Sequence, residues 1–128
     1  MQGPVRVGIA DDNPFIRILL TRLINSEAAF QVVGAVDDGA PAVALARSGA
    51  IDVLLLDLEM PTMNGVEALQ HIRQLAPAVN VIVHSSRPAE DIAAAIRDAG
   101  AAAYLQKPCC FELMLQAIRD AFRPPRVC

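Results

Sequence analysis

One feature constrains this chain more than any other: five short apolar runs alternate with segments whose apolar residues recur at helical spacing. The runs are VRVGIA (5–10), QVVGAV (31–36), DVLLLD (52–57), NVIVHS (80–85) and AAAYLQ (101–106). Several are continuous Val, Leu and Ile rather than strictly alternating, the pattern of strands buried on both faces. Between the first two, Asn13 and Pro14 offer an N-cap and a first-turn proline, and Ile16, Leu19, Leu20, Leu23 and Ile24 follow on one stripe. Pro41 predicts the start of a second helix that runs through Leu45 to Arg47. Val66, Leu69, Ile72 and Leu75 line a third helix; Ile92, Ala95, Ile96 and Ala99 line a fourth; Phe111, Met114, Leu115, Ile118 and Phe122 line a fifth. Five strand–helix units with DG, NG and AG at the joints predict an α/β fold, a doubly wound parallel sheet with helices on both faces.

At 128 residues, 54% of them apolar, the chain suits a single domain with one substantial core. No stretch approaches the roughly 18 uninterrupted apolar residues of a membrane span. No basic segment with an apolar h-region precedes VRVGIA, so the expected location is the cytoplasm. A net charge of −3 argues against a general nucleic-acid surface. Cys109, Cys110 and Cys128 have no metal-ligand spacing and no nearby histidine, and are expected to be reduced thiols. The final RPPRVC (123–128) reads as a tail or the start of a linker after a domain spanning 1–122.

In a sheet of this kind the crossovers are right-handed and ligands bind beyond the carboxyl ends of the strands. Asp57 ends the third run, Asp11 and Asp12 follow the first, Ser85 ends the fourth and Lys107, the only lysine, follows the fifth. All five therefore belong to one rim. Three carboxylates gathered there repel one another and call for a cation; hard oxygen ligands in this number select Mg²⁺. Two charges on the metal and one on Lys107 balance the three carboxylates, so the site can accept an anion. A phosphoryl group fits, because a cation pair neutralises its oxygens and an aspartate can act as nucleophile to form an aspartyl phosphate. Taken singly each residue has a plain structural reading: strand-end Asp as turn former, DDNP as helix start, Ser85 as cap, Lys107 as loop cation. It is their convergence on one rim that points to chemistry.

The motifs ADDN (10–13), LLLDLEMPTMNGVEAL (54–69), VIVHSS (81–86) and AGAAAYLQKP (99–108) resemble the receiver domain of two-component response regulators, over nearly the whole chain. The resemblance implies a five-stranded parallel sheet of order 2-1-3-4-5 in a three-layer α/β/α sandwich. It implies that Asp57 is the phosphoacceptor and that Mg²⁺ is bound by Asp12 and Asp57, with Asp11 and the backbone carbonyl of Glu59. It further implies that Lys107 pairs with the acceptor carboxylate, that Ser85 carries the switch hydroxyl and Tyr104 the switch aromatic ring, and that the Lys107–Pro108 bond is cis. The implied function is a phosphorelay switch, taking its phosphoryl group from a histidine kinase or phosphotransfer protein and signalling through the fourth helix, fifth strand and fifth helix. A homodimer through that face, and nucleic-acid contact only through a further output domain, belong to the same expectation.

Some positions depart from the family pattern. Cys109 and Cys110 leave the entry to the last helix poorly capped, and His84 stands where an apolar residue is usual, a partly buried side chain rather than a ligand. Glu59 and Arg87, two residues after the acceptor and the switch serine, hold positions that in the family tune dephosphorylation, and the resemblance gives the expectation that they pair over the site. The Ala-rich segment DIAAAIRDAGAA favours either close partner approach or tight packing on the sheet. FQVVGAVDDG (30–39) resembles receivers ahead of DNA-binding or methylesterase domains. Two rivals stay open: a receiver-like module that binds partners without phosphorylation, and an aspartyl-phosphate phosphohydrolase, for which a 128-residue chain leaves no cap or substrate pocket.

Overall fold

In the computed structural model, which describes residues 3–122, five strands and five helices alternate: β1 (Val5–Ala10), α1 (Pro14–Asn25), β2 (Phe30–Val36), α2 (Gly39–Arg47), β3 (Val53–Leu56), α3 (Gly65–Leu75), β4 (Asn80–Ser85), α4 (Ala89–Asp98), β5 (Ala103–Gln106) and α5 (Phe111–Ala121). All strands are parallel, in the order β2-β1-β3-β4-β5. The expected tail at 123–128, with Cys128, lies outside the described residues.

The continuous apolar runs are explained by two cores. Leu54 and Leu56 of β3 face Leu69, Ile72 and Ile96 of α3 and α4, while Val53 and Leu55 face Leu20, Ile24, Met114 and Ile118 of α1 and α5. Alternate residues of the same strand thus feed opposite layers, and neither face tolerates a polar group. Burial of a large aliphatic side chain contributes on the order of 1.5–3 kcal/mol, and twelve large side chains are almost completely buried.

Three expectations need correction. The second helix begins at Gly39, not Pro41: Asp38 accepts the Gly39 N–H and opens the helix two residues earlier. Leu19, Leu75 and Ala95 are exposed, because the stripes touching the sheet are narrower than the periodicity suggested. The last strand starts at Ala103 rather than 101. The entry to α5 is, as expected, without a side-chain cap at Cys110; Cys109 and Cys110 are free thiols, and burial pushes the Cys109 thiol up.

Two features lie at the periphery of the sheet. At the amino end of the sheet Arg6 grips Asp52, the residue before β3. Its Nη2 and Nε donate to Oδ1 and Oδ2 at 2.9 and 3.2 Å, its backbone N–H to Oδ2 at 2.9 Å, and its Nη1 to the Gly49 carbonyl at 3.0 Å. Along the open edge, the β1–β2 register runs Val7↔Val32 and then Gly8↔Gly34, so Val33 is passed over as a bulge and stands exposed.

Candidate functional site

At the carboxyl ends of the strands the apolar ladder gives way to polar side chains. The Asp57 N–H still donates to the Ala10 carbonyl at 2.9 Å, which fixes the carboxylate just beyond β3. In the next loop Asp11 is buried and Asp12 exposed. Asp11 is anchored on every side: its N–H donates to the Val36 carbonyl, its Oδ1 accepts the Asn13 N–H, and its carbonyl accepts from Arg17 Nη1 at 2.8 Å. Asn13 in turn caps α1 through the N–H groups of Phe15 and Ile16.

The expected convergence is present. Carboxylate oxygens of Asp11, Asp12 and Asp57 lie within 4.8 Å of one another. Lys107 Nζ sits 2.9 Å from Asp11 Oδ2 and 3.7 Å from Asp57 Oδ2. The Lys107–Pro108 bond is cis, and the Lys107 N–H donates to the Ser85 carbonyl at 2.7 Å. Asp57 is only 4% exposed. Burial pushes its carboxyl up from the usual carboxylate range; Asp11 and Asp12 push the same way, against the Glu59 N–H and the Lys107 charge. A buried carboxylate held among others is under pressure to take up a cation, and a set of hard oxygen donors this close together fits a small divalent metal.

Ser85 is fully buried at the end of β4, and its Oγ accepts the Arg87 N–H at 3.3 Å. The Tyr104 hydroxyl donates to the Arg87 carbonyl, and more weakly to that of Ser85 at 3.4 Å. Glu59 Oε1 accepts from Arg87 Nε at 2.5 Å, so the expected pair is formed, with both side chains about half exposed. Arg87 therefore touches the serine, the tyrosine and the acidic loop at once. His84 is buried beside Lys107; burial first, and the lysine second, hold its pKa down at about 4, so the ring is neutral near pH 7.

Two contributors escaped the sequence reading. Arg17 holds Asp11 from the first helix, a contact for which helical spacing carries no signal. Asp38 accepts N–H groups from Gly39, Thr62 and Met63. The Asp-Gly step directly before a helical stripe was a usable N-cap signal, but its second attachment lies more than twenty residues away in sequence.

A family model for the response regulator receiver domain matches residues 7–119. A protein-glutamate methylesterase/protein-glutamine glutaminase from Azospirillum brasilense is 40% identical over 107 residues, covering 82% of this chain and 27% of that protein. The chain thus spans little more than a quarter of that relative's length. Among solved structures, the response regulator domain of Thermotoga maritima CheB superposes with a TM-score of 0.87 at 34% identity, covering 95% of this chain and 99% of the other. A chain of the CheX–CheY–BeF3–Mg²⁺ complex from Borrelia burgdorferi does so with a TM-score of 0.88 at 29% identity, covering 95% and 92%. With the matched segment spanning every element from β1 to α5, the chain belongs to the response regulator receiver domains.

Proposed function

We propose that the chain is a phosphorelay switch in which Asp57 is the phosphoacceptor. The observation that carries this reading is the buried Asp57 carboxylate with Lys107 and two further carboxylates within a few ångströms. An Asp57 oxygen attacks phosphorus of a phosphohistidine on a histidine kinase or phosphotransfer protein; the phosphorus–nitrogen bond breaks, the imidazole leaves with its electron pair, and an acyl phosphate forms. Asp11, Asp12, Asp57 and the Glu59 carbonyl would hold Mg²⁺, which supplies charge neutralisation on the phosphoryl oxygens. Lys107 already lies between Asp11 and Asp57, and is placed to follow the charge from the acceptor carboxylate to the phosphoryl group.

The Ser85 hydroxyl, which accepts the Arg87 N–H at rest, turns to donate to a phosphoryl oxygen, and Tyr104 then follows from its bond with the Arg87 carbonyl. The readout surface is α4–β5–α5, where Ala94, Ala95 and Leu113 are exposed and supply apolar area for a partner or a second copy. No described helix is long and apolar enough to cross a membrane, in keeping with a cytoplasmic setting. The methylesterase relative makes a further output domain, in a chain extending beyond 1–122, part of the same reading.

The test is intact mass after incubation with acetyl phosphate and Mg²⁺. A Mg²⁺-dependent gain of one phosphoryl group, absent in Asp57→Asn, is expected. A gain that persists in the variant overturns the assignment of Asp57, and no gain from either acetyl phosphate or a phosphorylated kinase overturns the switch.

A further inference from the structure

The loop that follows Asp57 is tied at two places. On the near side the Gly65 N–H donates to the Leu58 carbonyl at 3.0 Å, and a Cβ at Gly65 would lie 2.3 Å from the Asp57 carbonyl oxygen, so loop and acceptor are in direct backbone contact. On the far side Asp38, outside the loop, holds it through one carboxylate. Asp38 Oδ1 accepts the Met63 N–H at 3.0 Å and the Gly39 N–H at 2.6 Å, and Oδ1 and Oδ2 share the Thr62 N–H at 3.3 and 3.2 Å. These bonds to Met63 and Gly39 hold the Asp38 carboxyl below the usual carboxylate range, so it stays charged at neutral pH. The fit is close, because a Cβ on Gly39 would come within 2.4 Å of the Met63 carbonyl oxygen. Only Glu59, Met60 and Pro61 span the gap between the two anchors, and of these only Met60 is buried.

We infer that Asp38 is a positioning residue for the metal-binding loop: its carboxylate, clamping Thr62 and Met63 to the start of α2, fixes the short span that carries the Glu59 carbonyl. This rests on the proposed Mg²⁺ site. A carbonyl ligand has no side chain to readjust, so its place depends on how its backbone is held. Asp38 touches no reacting atom; its effect passes through the main chain.

The experiment separates clamping from helix capping. Mg²⁺ is titrated into ¹⁵N-labelled wild type, Asp38→Ala, Asp38→Ser and Gly39→Ala while the Glu59 and Thr62 amide shifts are followed, and Tm is measured in parallel. Serine caps a helix well but is too short to serve both Thr62 and Met63, so Asp38→Ser restores Tm without restoring the loop. The expected result is a rise of about tenfold in the Mg²⁺ concentration for half-saturation in Asp38→Ala, the scale found for residues that orient metal ligands. The rise persists in Asp38→Ser and appears in Gly39→Ala, where the carboxylate is intact but the added methyl displaces Met63. Phosphorylation by acetyl phosphate recovers in all three at saturating Mg²⁺. Unchanged Mg²⁺ affinity in Asp38→Ala, or full recovery of it in Asp38→Ser, overturns the inference and leaves the proposed function standing. Failure of wild type itself to take up Mg²⁺ overturns the metal site and the inference with it.

Discussion

Two aspartates bracket the same strand and live in opposite electrostatic worlds. Asp52, before β3, has both oxygens matched by a guanidinium fork and a backbone N–H, and the Arg6 guanidinium holds its carboxyl below the usual carboxylate range. Asp57, after β3, is itself buried, beside the buried Asp11, the exposed Asp12 and one shared lysine, and its carboxyl is pushed up. Four apolar residues separate them. The comparison teaches that the sheet's two ends do different work: the amino end satisfies its charge and is thereby inert, while the rim leaves charge unmet and is thereby receptive.

The most severe way to break this contrast is to remove the shared cation. Lys107→Ala leaves Asp11 and Asp57 without a counter-charge and is expected to slow phosphoryl uptake by roughly a hundredfold, read by mass at early times with acetyl phosphate. Arg6→Ala, by contrast, should leave uptake unchanged; equal losses in the two would erase the distinction between the ends.

His84 is the next largest effect. Its folded pKa near 4 lies below the unfolded 6.5, so the unfolded chain takes up a proton that the fold refuses. Stability therefore falls as pH drops from 6.5 towards 4, by roughly 2 kcal/mol. Urea unfolding of His84→Leu should lose this slope, and an unchanged slope would show that the acid sensitivity belongs elsewhere.

The aspartates themselves predict smaller effects, of a few degrees in Tm and of opposite sign. In the absence of divalent metal, Asp52→Asn should be less stable than wild type at pH 7, with the gap closing as pH falls past 3.8 and the Arg6 partner is protonated in both states. Asp57→Asn should be more stable than wild type, because it removes a charge that the fold disfavours; its advantage shrinks as pH falls through the raised folded value towards 3.8. Thermal melts at pH 7 and at a pH below 3.8, in chelator, decide, and shifts of the same sign at pH 7 would break the comparison.

Smallest in stability is the Glu59–Arg87 pair, with both side chains about half exposed. Glu59→Ala and Arg87→Ala should leave Tm within about a degree, yet change the phosphoryl half-life several-fold. Decay rates indistinguishable from wild type would remove the pair from the function.

The fold was legible because strands buried on both faces write themselves as apolar runs, unbroken in β3 and at the centre of β4. Leu19, Leu75 and Ala95 were misplaced because periodicity gives the direction of a helix face but not its width, which depends on how much of the helix the sheet covers. The rim followed from topology alone: once the strands are parallel, residues after each strand must meet. What could not be read were contacts fixed by loop path, such as Arg17 on the Asp11 carbonyl, the three attachments of Arg87, and the Asp38 clamp. The helix start at Gly39 was missed for a different reason: the Asp38–Gly39 step is a local cap signal, but Pro41 offered a competing first-turn signal two residues later.

The bulge at Val33 bears on how the protein behaves when crowded. An intruding strand seeking to extend the sheet along β2 would meet a regular row only from Phe30 to Val32 or from Gly34 to Val36, broken between them by the displaced residue. Three residues are too few to seed an ordered stack of copies, so the interruption makes this border a poorer template for pairing between molecules than a regular one.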